Sequence, residues 1–149
     1  VSGNNVVDVV VAGPAKSNQY EYDTLGRLLS VCEISARTGS GACGQGNQQN
    51  GFLTSYTSNI QGQITKVVQG QEVRTFKYDA VGRLLLESNP ESGTTTYTWD
   101  SSTTACPNAY FGHLVQKQDA NGNTSCLNYD LFGRLTSATY SGPNAGASS

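Results

Sequence analysis

Short runs of Thr, Val, Leu and aromatic residues alternate along this chain with clusters of Gly, Asn, Asp and Ser, so that the chain meets a turn signal about every ten residues. Residues 83–88, 94–99, 114–118 and 124–129 are five or six residues long, with the composition of strands. Large apolar residues stand two apart at strand ends, Tyr20 with Tyr22, Phe76 with Tyr78, Tyr97 with Trp99 and Leu127 with Tyr129, which puts each pair on one face of its strand. The clusters between the runs carry turn chemistry. In Asp-x-x-Gly the leading Asp or Asn accepts hydrogen bonds from the amides ahead of it, and the Gly supplies the positive φ that closes a type I turn with a bulge. Such turns are predicted from Asp23 to Gly26, Asn59 to Gly62, Asp79 to Gly82 and Asp130 to Gly133, with a second set halfway between them at 89–93 and 119–123. The pattern predicts an all-β chain of two-stranded hairpins.

The hairpins share a phrase. Tyr-Asp-Thr-Leu-Gly-Arg-Leu at 22–28 returns as Tyr-Asp-Ala-Val-Gly-Arg-Leu at 78–84 and as Tyr-Asp-Leu-Phe-Gly-Arg-Leu at 129–135. Ser-Asn-Ile-Gln-Gly-Gln-Ile at 58–64 is a weaker copy, and a fifth is split, with Trp99 and Asp100 separated from Gly112, His113 and Leu114. Gly62 and Gly82 are 20 residues apart and Gly112 and Gly133 are 21 apart, so the base period is about 20 residues. The longer intervals carry their excess at 34–50 and 101–111, polar, Gly-containing stretches that read as loop insertions. Residues 1–149 therefore read as one array of β-hairpin repeats forming a curved antiparallel sheet strip, a piece of a longer array. Arg27, Arg83 and Arg134 stand across their turns from Asp23, Asp79 and Asp130. Exposed ion pairs contribute only about 0–1 kcal/mol, so these are register markers rather than acid and base.

Charged residues make up only 13% of the chain, and its net charge of −2 comes with nine scattered Lys and Arg, which leaves no basic stripe for nucleic acid. No apolar run approaches the roughly 20 residues of a membrane span. The four cysteines Cys32, Cys43, Cys106 and Cys126 form no Cys-x-x-Cys pair, which weakens zinc and thioredoxin-type readings in favour of disulfides. Cys32 and Cys43 bracket most of the first insertion, and Cys106 lies about one repeat before Cys126. Those two pairings are favoured over the other two connectivities, which stay open, and bridges would place the chain in an oxidising compartment.

The recurring Tyr-Asp-x-x-Gly-Arg-Leu, with Asp-Ala-Asn-Gly-Asn-Thr at 119–124 leading into its last copy, resembles the YD-repeat or Rhs-repeat family from about Gln19 to Tyr140. The resemblance implies a sheet strip that spirals into a hollow YD-shell, as in bacterial Rhs toxins, the C components of toxin complexes and the teneurins. In the toxins such a shell encloses a polypeptide cargo; in the teneurins it belongs to a cell-surface adhesion receptor. The second unit departs from the phrase at Ser58, Asn59 and Gln63. No Asp-Pro-x-Gly-Leu motif, associated with self-cleavage at the end of bacterial Rhs cores, occurs in the chain, so no processing activity is assigned.

Catalytic chemistry finds no constellation. His113 is the only histidine, takes the arginine slot of its repeat and has no Ser or Cys nucleophile beside it. Glu33, Glu72, Glu87 and Glu91 show no glycosidase-like pairing. Gly39, Gly41, Gly44 and Gly46 lack the Lys-Ser or Lys-Thr of a phosphate loop. The expectation is a non-enzyme with no metal or cofactor: a structural segment of a secreted or cell-surface shell around a cargo such as a toxin, in contact with flanking repeats of its parent chain. The alternative is a cell-surface adhesion or carbohydrate-binding module. For it, Tyr97 and Trp99 are the candidate sugar-stacking rings, although packing between neighbouring strands explains the aromatic band without a ligand.

Overall fold

The structure, a computed structural model, describes residues 5–10, 17–36, 43 and 50–143. The chain divides into two compact units, Val1–Arg74 and Thr75–Ser149. In unit one, β1 (Asn5–Val10), β2 (Ser17–Tyr22), β3 (Leu28–Ala36), β4 (Asn50–Ser58) and β5 (Ile64–Gln69) pair antiparallel in that order, each with its neighbour in sequence among the five. Unit two repeats the arrangement with the larger part of β6 (Glu72–Tyr78), then β7 (Leu84–Asn89), β8 (Gly93–Trp99), β9 (Leu114–Gln118), β10 (Thr124–Tyr129) and β11 (Leu135–Ser141). The chain is all-β, an antiparallel succession of hairpins with no helix among the described residues.

Strand takes up both ends of the predicted first insertion: Ile34 to Ala36 continue β3 and Asn50 opens β4. The rest of that stretch lies outside the described residues apart from Cys43. Residues 101–111 contain no strand.

Among the described residues the buried apolar side chains are few, because a single sheet offers most of them only their neighbours in the ladder. Burial concentrates at the cysteines. Cys32 is bonded to Cys43 and packs with Ile34 and Leu53; Cys106 is bonded to Cys126 and packs with Val115 and Tyr110. Cα atoms lie 5.8 and 5.4 Å apart in the two bridges, within the usual range for a disulfide.

Each hairpin built on a copy of the repeated phrase carries the same irregularity one residue into its outgoing strand, whereas the turn at Asp119 joins β9 and β10 in plain register. Glu21 faces Ser30 while Tyr22 faces Leu28, which leaves Leu29 as an extra residue in β3. The same slip leaves Thr65, Leu85, Val115 and Thr136 unpaired in β5, β7, β9 and β11. A bulge bends its strand and frees a backbone group that needs a partner. Thr65 and Thr136 supply one, each hydroxyl donating to a carbonyl of the incoming strand, Thr57 O at 3.1 Å and Asn128 O at 3.0 Å.

The turn glycines differ in what surrounds them. Gly62 has φ 82° and open space where a Cβ would stand, whereas a Cβ on Gly133, at φ 74°, would come within 2.9 Å of His113 Nε2. Gly62→Ala is expected to cost about 1–2 kcal/mol, the backbone penalty of the left-handed region alone. Gly133→Ala carries the same penalty and must also displace the imidazole. Urea unfolding of both variants checks this: equal losses would mean that His113 yields freely.

Candidate functional site

At each turn the leading side chain closes the loop on itself. Asp23 Oδ1 accepts the N–H groups of Leu25 and Arg27, at 2.9 and 2.8 Å, and Oδ2 accepts Arg27 Nε at 2.6 Å. Asp79 makes the same set with Val81 and Arg83, and Asp130 makes it with Phe132 and Arg134. Gly26, Gly82 and Gly133 each close a turn by donating their N–H to the carbonyl of its aspartate. At Asn59 the side-chain pair is reversed: Nδ2 donates to Gln63 Oε1 at 3.0 Å, while Oδ1 still takes the N–H groups of Gln61 and Gln63. Asp119, in the second set of turns, uses Asn123 in place of arginine. What persists is complementarity between the first and fifth residues, whatever its charge.

These bonds depress the carboxylate pKa values. In Asp23 and Asp130 the backbone N–H of the fifth residue is the main cause. In Asp119 it is the Asn123 amide. In Asp79, burial pushes the pKa up but is outweighed by the hydrogen bonds and charge of Arg83.

The arginines also reach the next repeat. Arg27 donates to Asn59 O at 3.1 Å. Arg83 holds Asp100 with both terminal nitrogens, at 3.0 and 2.7 Å, while its guanidinium lies 5.0 Å from the centre of the Trp99 ring. The Arg83 pKa is raised, first by its bond to Asp100 and then by that to Asp79; Asp100 is depressed, first by Arg83 and then by the Gly112 N–H.

The aromatic residues before Asp100 and Asp130 work in the opposite direction. Trp99 Nε1 donates to Leu84 O at 2.8 Å and the Tyr129 hydroxyl donates to Leu114 O at 3.0 Å, so in both cases a polar-tipped ring bonds the last residue of the preceding phrase. His113, in the arginine slot, stacks on Tyr129 with ring centres 4.5 Å apart.

The split repeat is rejoined in space. Asp100 N donates to His113 O at 3.1 Å, as the leading aspartate donates to the arginine carbonyl in the uninterrupted turns, while Gly112 N donates to the Asp100 side chain, Oδ1 at 2.6 Å, where the other turn glycines bond the aspartate carbonyl. Asp100 adopts φ 65° to do so. Residues 101–111 fold back over β9 and β10 instead of standing free. The Cys106–Cys126 bridge fixes them, Thr103 Oγ1 bonds Gln116 Oε1, and Asn108 Nδ2 donates to Asn128 Oδ1 at 2.9 Å.

The two candidate sugar-stacking residues are placed on β8, each with its polar tip engaged and a cation near its ring. Tyr97 donates to Glu87 Oε1 at 2.9 Å beneath Lys117 Nζ, and burial, with Glu87 second, pushes its pKa up to about 12. Trp99 lies beneath Arg83 as described. Exposed aromatic residues occur elsewhere, at Phe52, Phe111, Phe132 and Tyr140. Among the described residues no group of three or more His, Cys, Asp or Glu could hold a metal ion, and no helix is long and apolar enough to cross a membrane.

The fold and its turns define a class, the all-β hairpin array whose repeats are joined by turn side chains. Solved structures have a similar fold. The chain matches the crystal structures of TcdB2-TccC3-TEV and of TcdB2-TccC3-Cdc42, each with a TM-score of 0.61 and 17% identity, over 87% and 89% of its length. It spans 6% of each of those chains. At that identity the likeness is one of fold. No protein-family model matches the chain, and no curated protein matches it in sequence.

Proposed function

We propose that this chain is a segment of the wall of a secreted or cell-surface YD-repeat shell, which encloses a polypeptide cargo such as a toxin. The observation that carries this reading is how the repeated phrase is used: its carboxylate and its arginine, with the aromatic tips of Trp99 and Tyr129, bond their own turn or the adjoining repeat. Side chains so engaged join hairpin to hairpin within each unit, and among the described residues they are not presented to a substrate as reactive groups. The likeness to TcdB2-TccC3 toxin-complex chains supports a shell-like role, and the two disulfides fit an oxidising compartment. The partners in this reading are flanking repeats of the parent chain and an enclosed C-terminal cargo, and the segment catalyses nothing.

Reading the parent gene through both ends of this sequence and imaging the encoded protein by electron microscopy tests it. A closed, hollow particle with density inside is the expected result. An array that ends in a surface anchor, with no cargo, overturns it in favour of a cell-surface adhesion or carbohydrate-binding module. That alternative draws on the exposed rings of Phe52, Phe111, Phe132 and Tyr140. A glycan screen addresses it directly: selective binding abolished by Phe111→Ala, or by Tyr97→Ala or Trp99→Ala, is the outcome it requires.

A further inference from the structure

Consecutive strands run antiparallel, so the turns of unit two fall on two opposite rims. Along one rim lie the tips that join β6 to β7, β8 to β9 and β10 to β11; along the other lie those that join β7 to β8 and β9 to β10. Successive tips on a rim are two strands apart, about 10 Å at the usual strand spacing.

The two rims differ in chemistry. The second exposes Pro90, Glu91 and Ser92 at one tip and Ala120 and Asn121 at the other, the usual composition of turns. The first carries Val81, Phe111, Leu131 and Phe132, each at least 75% exposed. Leu25 and Ile60 stand out in the same way from the two phrase turns of unit one. The turn does not require apolar residues there: Gln61 holds the place before the glycine in the turn at Asn59, and the backbone bonds of that turn are unchanged. Scattered singly, such side chains need no explanation, but in unit two they are gathered on one rim.

Charge selects the partner. Asp79, Asp100 and Asp130 outnumber Arg83 and Arg134 along this rim, and each guanidinium is held by a carboxylate, so there is no positive surplus to draw an anionic surface. Arg134 is nevertheless placed for a phosphate. Its side chain is 74% exposed and its guanidinium lies 5.3 Å from the centre of the Phe132 ring, a cation at the base of an apolar tip. An apolar tip with a guanidinium behind it matches the acyl boundary and the phosphate layer of a lipid surface. Separate tips suit a fluid layer, whereas a stable protein interface takes a patch of about 20–30 residues a side.

We infer that this rim of unit two docks on a zwitterionic phospholipid surface, with Val81, Phe111, Leu131 and Phe132 entering the boundary between headgroups and acyl chains and Arg134 meeting phosphate. A wall segment and an open array can both carry such a rim, so the docking does not depend on an enclosed cargo.

The probe is phosphatidylcholine vesicles added to the 149-residue chain. Co-sedimentation is expected, and a spin label in the lipid should broaden the signals of residues 81, 111, 131 and 132 while sparing 91 and 121 on the opposite rim. Phe111→Ser combined with Phe132→Ser is expected to weaken binding at least tenfold, because both rings lose their apolar area. Arg134→Gln should weaken it by a smaller factor and Glu91→Gln not at all. Amide spectra without vesicles show whether each variant is folded, and the broadening pattern of the unsubstituted chain needs no variant. No sedimentation at millimolar lipid, broadening spread over both rims, or binding indifferent to the two phenylalanines overturns the inference. Binding only to vesicles that contain phosphatidylserine overturns it as well. Self-association lost with the same two substitutions, without vesicle binding, overturns it by making a second copy the occupant.

Discussion

Replacing Cys106 and Cys126 together by serine is expected to destabilise unit two by about 3 kcal/mol, the loop-closure term for residues 20 apart in sequence. The entropic term is only part of the effect. The bridge is also most of the core: besides Cys106 and Cys126, the buried cluster consists of Val115 with Tyr110 beside it. Once the bridge is gone, residues 101–111 are held over the sheet by single hydrogen bonds such as Thr103 to Gln116 and Asn108 to Asn128, each contributing about 1 kcal/mol. The segment should then exchange its amides freely before the strands unfold. The equivalent change at Cys32 and Cys43, 11 residues apart, is expected to cost about 0.5 kcal/mol less from loop closure. Urea unfolding, with amide exchange resolved by residue, is the check. A serine variant that melts with its parent, and keeps residues 103–110 protected, would falsify the assignment of the bridge as the main support of this unit.

Acid should unfold unit two ahead of unit one. Among the residues whose side chains are described, Asp79, Asp100, Asp119 and Asp130 in unit two all have depressed pKa values, whereas in unit one Asp23 does and the turn at Asn59 and Gln63 does not titrate. An unfolded aspartate has a pKa of about 3.9. With folded values below that, the unfolded chain binds protons first as the pH falls. The stability these groups contribute is complete above the unfolded value and is lost as the pH descends through the folded ones. Four turns weaken together in unit two, since protonating Asp79 or Asp100 also removes a partner of Arg83. Amide signals followed from neutral pH downwards should fade first among residues 75–143. Loss of β2 to β5 at the same pH or earlier would show that the turn carboxylates do not set acid stability.

Much of this was legible from short range. The turn at Asp79 depends on residues two, three and four positions ahead, so the phrase predicts the loop, the positive φ and the Asp79–Arg83 pair together. The cysteine pairings are those that their places in the repeat favoured without excluding the other two. What escaped depends on register and on distance in the chain. The bulges at Leu29 and Val115 arise only once an outgoing strand is aligned with its partner, and nothing in their side chains marks them. Arg83 meets Asp100 across 17 residues, and Arg27 meets Asn59 across 32, so the distance from an arginine to its partner changes with every insertion. Tyr97 and Trp99 were recognised as rings on one face. Their engagement by Glu87, Lys117, Leu84 and Arg83 required the neighbouring strands. The turn at Asp119 showed its Gly122, but the substitution of Asn123 for arginine became recognisable only beside the other turns.

The bonds that join one hairpin to the next run between adjoining copies of the phrase: Arg27 to the turn at Asn59, Arg83 to that at Asp100, and Trp99 and Tyr129 back to Leu84 and Leu114. A gene encoding such units can gain or lose one whole by unequal recombination, since the new neighbours present the same groups to each other at the join. An array of this kind can therefore lengthen by duplication before any single residue has to change.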